Sequence, residues 1–150
     1  MDIKTIGIVG AGTMGNGIAQ AFAVAGFSVI MADISEAAVQ KGVATIAGSL
    51  DRLIKKEKMS AEQKAAALAL IGTATDVAAL KDVDLIIEAA TENFELKTRI
   101  FKQLDELAKP DAIIASNTSG LSINRLAEGL PANLRPNFCG IHFLDRKSVV

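Results

Sequence analysis

The stretch Ile6–Gln20, IGIVGAGTMGNGIAQ, decides the fold. Its first residues read as a buried strand and its last as the opening of a helix. Glycine weakens the interior of either element. Gly10, Gly12 and Gly15 nevertheless stand at the junction, spaced as G-x-G-x-x-G. A tight turn, a backbone that admits a pyrophosphate, and a helix packed closely on its strand each call for a missing side chain. The helix beginning near Thr13 then offers free N–H groups and the positive end of its dipole to phosphate. The cofactor-binding candidates of this turn are Gly10, Gly12, Thr13, Met14 and Gly15.

A glycine-rich turn alone is a weak signal. Here it follows a strand, opens a helix, and is followed about 20 residues later by Asp33 at the end of the next apolar run. Asp33 is placed to accept hydrogen bonds from the adenosine ribose hydroxyls. A 2′-phosphate there would meet its negative charge, and no arginine follows within the next several residues. The pattern points to NAD rather than NADP.

Working outward, apolar runs alternate with helical patterns. Strands are expected at Thr5–Gly10, Ser28–Asp33, Gly72–Thr75, Val83–Ala90, Ala112–Asn117 and Asn137–Phe143. Helices are expected at Thr13–Ala25, Ser35–Lys58, Ala61–Leu70, Phe94–Ala108 and Ser122–Glu128. Val39, Val43, Ile46, Leu50 and Leu53 share one face of the second helix, and Leu96, Ile100, Leu104 and Leu107 mark a buried stripe on the fourth. Ser60–Gln63, SAEQ, reads as a capping box. Strands alternating with helices predict an α/β fold with a doubly wound, mostly parallel sheet of Rossmann type, in one domain spanning residues 1–150.

Composition agrees with a globular chain: half the residues are apolar, 22% are charged, and the net charge is −1. That balance gives no field to recruit nucleic acid or an anionic membrane. No apolar run is long enough to span a bilayer. The start carries no basic region followed by an apolar run, so a cytoplasmic location is expected. The single cysteine, Cys139, excludes an intrachain disulfide framework. No metal site is expected.

Ligands of such sheets sit outside the carboxyl ends of the strands. Glu88 and Glu92 close the fourth strand, Ser119 follows the fifth, and His142, the only histidine, closes the sixth. Each has a plainer reading: Glu92 as a cap of the next helix, Ser119 as turn chemistry, His142 as a strand-end residue. Their convergence on one edge beside a nicotinamide site favours chemistry. A histidine that titrates near neutrality is suited to exchange a hydroxyl proton while hydride moves. Ser49, Arg52 and Lys56 share a face of the second helix, readable as a solvated surface or as an anchor for a phosphorylated carrier. Cys139 lies three before His142, on opposite sides of an extended strand, and reads as core.

Taken together, IGIVGAGTMGNGIAQ, DIS, SLDRLIKKEK, IIEAATEN, ASNTSGLSI and GIHF resemble the 3-hydroxyacyl-CoA dehydrogenase family, in particular its bacterial 3-hydroxybutyryl-CoA branch. The resemblance runs from the start to about Phe143. It implies NAD-dependent interconversion of a short-chain (S)-3-hydroxyacyl-CoA and the 3-ketoacyl-CoA. By position, Asp33, Glu92, Lys97 and Ser119 match family cofactor contacts, and Ser119 also matches the serine near the substrate hydroxyl. Ser49 and Lys56 match contacts to coenzyme A, and His142 matches the catalytic histidine.

The stretch after Phe143 departs from the family. Asp145 stands where the family has asparagine, and Arg146 where it has proline. The glutamate partner of the histidine, the helical domain and the dimer surface are expected past Val150. Asp145, three residues along an extended strand, is a poor substitute for that glutamate. Two functional classes follow: a 3-hydroxyacyl-CoA dehydrogenase represented by its nucleotide-binding domain, and a non-catalytic NAD-binding module. A 2-methyl-3-hydroxy acid dehydrogenase is a third option with less support.

Overall fold

A computed structural model of the chain describes residues 2–130, 132 and 135–143. Six parallel strands form one sheet: β1 (Thr5–Val9), β2 (Ser28–Ala32), β3 (Ile71–Ala74), β4 (Leu85–Glu88), β5 (Ile113–Ser116) and β6 (Phe138–Gly140). They lie in the order β3-β2-β1-β4-β5-β6. Among the described residues five α-helices lie between them, α1 (Thr13–Val24), α2 (Glu36–Lys55), α3 (Ala61–Ala69), α4 (Phe94–Leu107) and α5 (Ile123–Glu128), and a 3-10 turn at Val77–Leu80 joins β3 to β4. The expected Rossmann-type doubly wound sheet is present.

Strand pleating sorts the core onto the two faces of the sheet. Ile6 and Ile8 of β1, Val29 and Met31 of β2, Ile87 of β4 and Ala115 of β5 pack with α1 and α2, through Ile18, Val39, Ile46 and Leu50. The alternate residues Val9, Ala32, Ile86 and Ile114 face the other way and pack with Ile100, Phe101 and Leu104 of α4. Covering both faces is what allows a purely parallel sheet.

Local signals set the helix ends. The Ser60 hydroxyl accepts from the Gln63 N–H while the Gln63 side chain accepts from the Ser60 N–H, the expected capping box. Helix α2 was expected to reach Lys58 but stops at Lys55. Glu57 adopts a φ of +56°, and the N–H groups of Glu57 and Lys58 bond back to the Ile54 and Leu53 carbonyls. This paired closure ends the helix and satisfies its last carbonyls.

Two expectations need correction. The buried stripe of α4 keeps Ile100 and Leu104 but adds Lys97 and Phe101, while Leu96 and Leu107 are only half-buried. The lysine is drawn inward by a buried carboxylate, described below. Cys139 is exposed rather than core. It belongs to the edge strand, whose only pairing among the described residues is with β5. The departing tail, including Asp145 and Arg146, lies outside the described residues.

Candidate functional site

The site begins where β1 turns into α1. Gly10 has a φ of +108°, and a side-chain carbon there would sit 2.8 Å from the Ala89 carbonyl oxygen. At Gly15 the same carbon would lie 1.8 Å from the Gly10 carbonyl oxygen, so glycine is what lets α1 rest on the turn. Gly12 differs, because a carbon there would meet no atom within 4 Å. Gly12 is also the residue before α1, with no side chain capping the helix. The leading N–H groups of a helix lack intrahelical partners, so this end presents donors to open space. The arrangement fits a pyrophosphate, which a side chain at Gly12 would crowd.

Asp33 directly follows β2, which ends at Ala32, and lies beside this turn. Its carboxylate accepts from the Ala11 N–H at 3.0 Å and the Ser35 N–H at 3.0 Å. The acid is thereby fixed against both the glycine turn and the start of α2. It lines a cavity of about 480 Å³ together with Ile34, Val77, Leu96, Arg99 and Gln103. Ile34 is 93% exposed, an apolar side chain left open on this wall. Leu96, Arg99 and Gln103 went unrecognised in the sequence because α4 lies far along the chain from Asp33. No arginine stands just after Asp33 in the chain; Arg99 comes to its cavity from α4.

A second cavity, of about 300 Å³, is lined by Met14, Glu92, Asn117, Ser119, His142 and Phe143. The structure therefore gathers the three strand-end features at one place. His142 follows β6 rather than ending it, since that strand stops at Gly140. Its segment is tethered to β5 and the loop after it: the Ile141 N–H bonds the Ser116 carbonyl and the Phe143 N–H bonds the Asn117 side chain at 3.3 Å. Ala89, Ala90 and Thr91, just after β4, border both cavities. The two hollows thus adjoin at the β1/β4 boundary, where the chain reverses its direction across the sheet.

Glu92 does not cap the following helix. Asn93 does, accepting from the Leu96 N–H. Glu92 instead accepts from the Thr118 hydroxyl at 2.6 Å and the Gly120 N–H at 3.3 Å, the neighbours of Ser119 on either side. Partial desolvation opposes its ionisation. The Thr118 hydroxyl, the nearby Lys97 charge and the Gly120 N–H outweigh that and hold the carboxyl below its ordinary value. Glu92 is therefore a carboxylate near neutral pH.

Lys97 lies beneath, fully buried with Glu88 and Ser116. Its ammonium sits 2.8 and 2.7 Å from the two Glu88 oxygens. Ser116 donates its hydroxyl to the same carboxylate at 2.7 Å. A lysine read as a cofactor contact is here enclosed by protein groups. Ser49 lies on α2 and Lys56 is the residue just past its end; neither lines either cavity, Ser49 being half-buried and Lys56 exposed.

Comparison with known proteins agrees with this geometry. Residues 5–149 match the family described as "3-hydroxyacyl-CoA dehydrogenase, NAD binding domain". The chain is 46% identical over 144 residues to a 3-hydroxybutyryl-CoA dehydrogenase of Bradyrhizobium diazoefficiens, covering 95% of this chain and 48% of the relative. It is 40% identical over 141 residues to one from Clostridioides difficile, covering 93% of this chain and 49% of that protein. Among crystal structures, the (S)-3-hydroxybutyryl-CoA dehydrogenase of Ralstonia eutropha superposes with a TM-score of 0.91 at 58% identity, covering 95% of this chain and 50% of its own. The chain spans about half the length of the curated relatives it matches.

Proposed function

Because the chain belongs to the 3-hydroxyacyl-CoA dehydrogenase NAD-binding family, we propose that it carries the cofactor half of an enzyme interconverting short-chain (S)-3-hydroxyacyl-CoA and 3-ketoacyl-CoA. The observation that carries the reading is the meeting of two cavities at one sheet edge, Asp33 bordering one and His142 with Ser119 the other. NAD, when bound, accepts hydride from the hydroxyl-bearing carbon.

The residues divide the work. Gly12, Thr13 and Met14 receive the pyrophosphate at the start of α1, and Asp33 accepts the ribose hydroxyls. His142 takes the substrate's hydroxyl proton as the C–H bond breaks, and returns it in the reverse direction. Ser119 hydrogen-bonds the same oxygen. Glu92 acts on the cofactor end through the loop it holds. Ser49 and Lys56 receive the nucleotide end of coenzyme A, with Lys56 contributing positive charge at the helix terminus. The family's helical half supplies the glutamate partner of the histidine and the dimer surface.

The test is acetoacetyl-CoA-dependent oxidation of NADH by this chain, alone and fused to the second half of a relative. His142→Gln is expected to lower turnover of the active form by ~10²-fold or more while sparing NAD binding. Near-native turnover by that variant removes His142 from the proton transfer. NAD binding without turnover in either form favours the non-catalytic module.

A further inference from the structure

We infer that the buried Glu88–Lys97 pair is a positioning device that fixes the wall between the two halves of the NAD cleft. Glu88 is the last residue of β4 and Lys97 lies in the first turns of α4; both are 0% exposed. Stability alone does not call for such a pair. Well-packed apolar residues of similar volume often serve as well or better, since both charges must leave water. The pair does something an apolar core cannot.

It holds both backbone groups of Ala90. The Ala90 N–H donates to a Glu88 oxygen at 2.7 Å, and the Ala90 carbonyl accepts from the Lys97 ammonium at 3.2 Å. Ala90 borders both cavities, so its placement sets how the adenosine and nicotinamide spaces are joined. The same ammonium lies 3.6 Å from a Glu92 oxygen. The other Glu92 oxygen takes the Thr118 hydroxyl and the Gly120 N–H, bracketing Ser119. One buried cation therefore orders the divider between the hollows and the loop that carries a proposed site residue. Its influence falls on ligands that span both cavities. A ligand confined to the adenosine side keeps its contacts with Asp33 and Ile34, which the pair does not touch, and meets the pair only through the Ala90 wall.

The inference rests on NAD occupying both cavities, and calorimetry with NAD and with AMP tests it. In Glu88→Leu/Lys97→Met, with Ser116→Ala so that no hydroxyl is orphaned, the melting temperature should be kept. NAD affinity should fall by about tenfold or more, the worth of one well-made hydrogen bond, and AMP affinity by clearly less, so that the ratio of the two changes. A folded variant with the native ratio of NAD to AMP affinity overturns the inference. If it does not fold, Glu88→Gln, which keeps the shape and gives up the charge opposing Lys97, is judged by the same ratio. Failure of both variants to fold also overturns it, by making the pair a stability element. If the unmodified chain binds AMP but not NAD, the two-cavity reading fails first and takes the inference with it.

Discussion

Replacing Gly15 by alanine puts a methyl carbon 1.8 Å from the Gly10 carbonyl oxygen and 2.7 Å from its carbon. Both are backbone atoms, so neither can swing aside. To restore even 3.0 Å, the start of α1 must retreat from the turn by about 1.2 Å. Overpacking in a close-packed core costs about 1–3 kcal/mol, and a clash with backbone belongs at or above the top of that range. For a chain of this length ~3 kcal/mol corresponds to a loss of roughly 6–12 °C in melting temperature. Gly12→Ala should behave in the opposite way. Its φ of −70° suits alanine, and the new carbon meets nothing within 4 Å. Thermal stability should move by less than about 1 kcal/mol. The methyl group, however, enters the space that the α1 donors offer to phosphate. Losing one charge-assisted hydrogen bond there, about 1.5–3 kcal/mol, should weaken NAD by roughly 10- to 150-fold. Differential scanning calorimetry and isothermal titration with NAD measure the two effects separately. A native melting temperature for Gly15→Ala would refute the packing argument. Native NAD affinity for Gly12→Ala would show that the pyrophosphate does not seat at this helix end.

Other perturbations follow from particular contacts. Asp33→Ala should weaken NAD about tenfold or more by removing ribose hydrogen bonds, and the native chain should prefer NAD to NADP; equal affinity for both cofactors in titration would refute the role of Asp33. Lys56→Glu should weaken acetoacetyl-CoA binding while leaving NAD alone, with an effect that shrinks as salt rises; unchanged affinity at low salt returns that helix face to plain solvation. Glu57→Gly should raise stability by about 1 kcal/mol, because Glu57 holds a φ of +56° that glycine adopts freely, and thermal melting reads the gain directly. At the opposite edge of the sheet, the Lys109 ammonium, the Lys4 and Thr5 N–H groups and the Thr5 hydroxyl hold the Asp84 carboxyl well below the usual range. Its contribution is therefore complete above the unfolded value of about 4 and is lost as pH falls below that, so Asp84→Asn should flatten the acid side of a melting-temperature profile.

Much of this protein is written locally. Alternation of apolar runs with amphipathic helices, the capping box at Ser60 and the glycine spacing after β1 each act through near neighbours in the chain, so the parallel sheet and the close glycine turn at its carboxyl edge were legible from the sequence. Asp33 was legible too, because its position follows from where β2 ends. The Glu88–Lys97 pair was not. Glu88 looked like one more polar strand end and Lys97, by resemblance, like a cofactor contact, since two charges enter a core only when folding supplies each with the other. Arg99 reaches the Asp33 cavity on a helix that the sequence keeps far from Asp33, so spacing along the chain carried no sign of it. Cys139 failed in the other direction. Its strand pattern promised burial, but a strand is covered only if neighbours flank it, and β6 lies at the sheet's edge. Pattern determines which residues can be buried; the order of the strands and the packing of helices on them decide which ones are, the paired charges of Glu88 and Lys97 included.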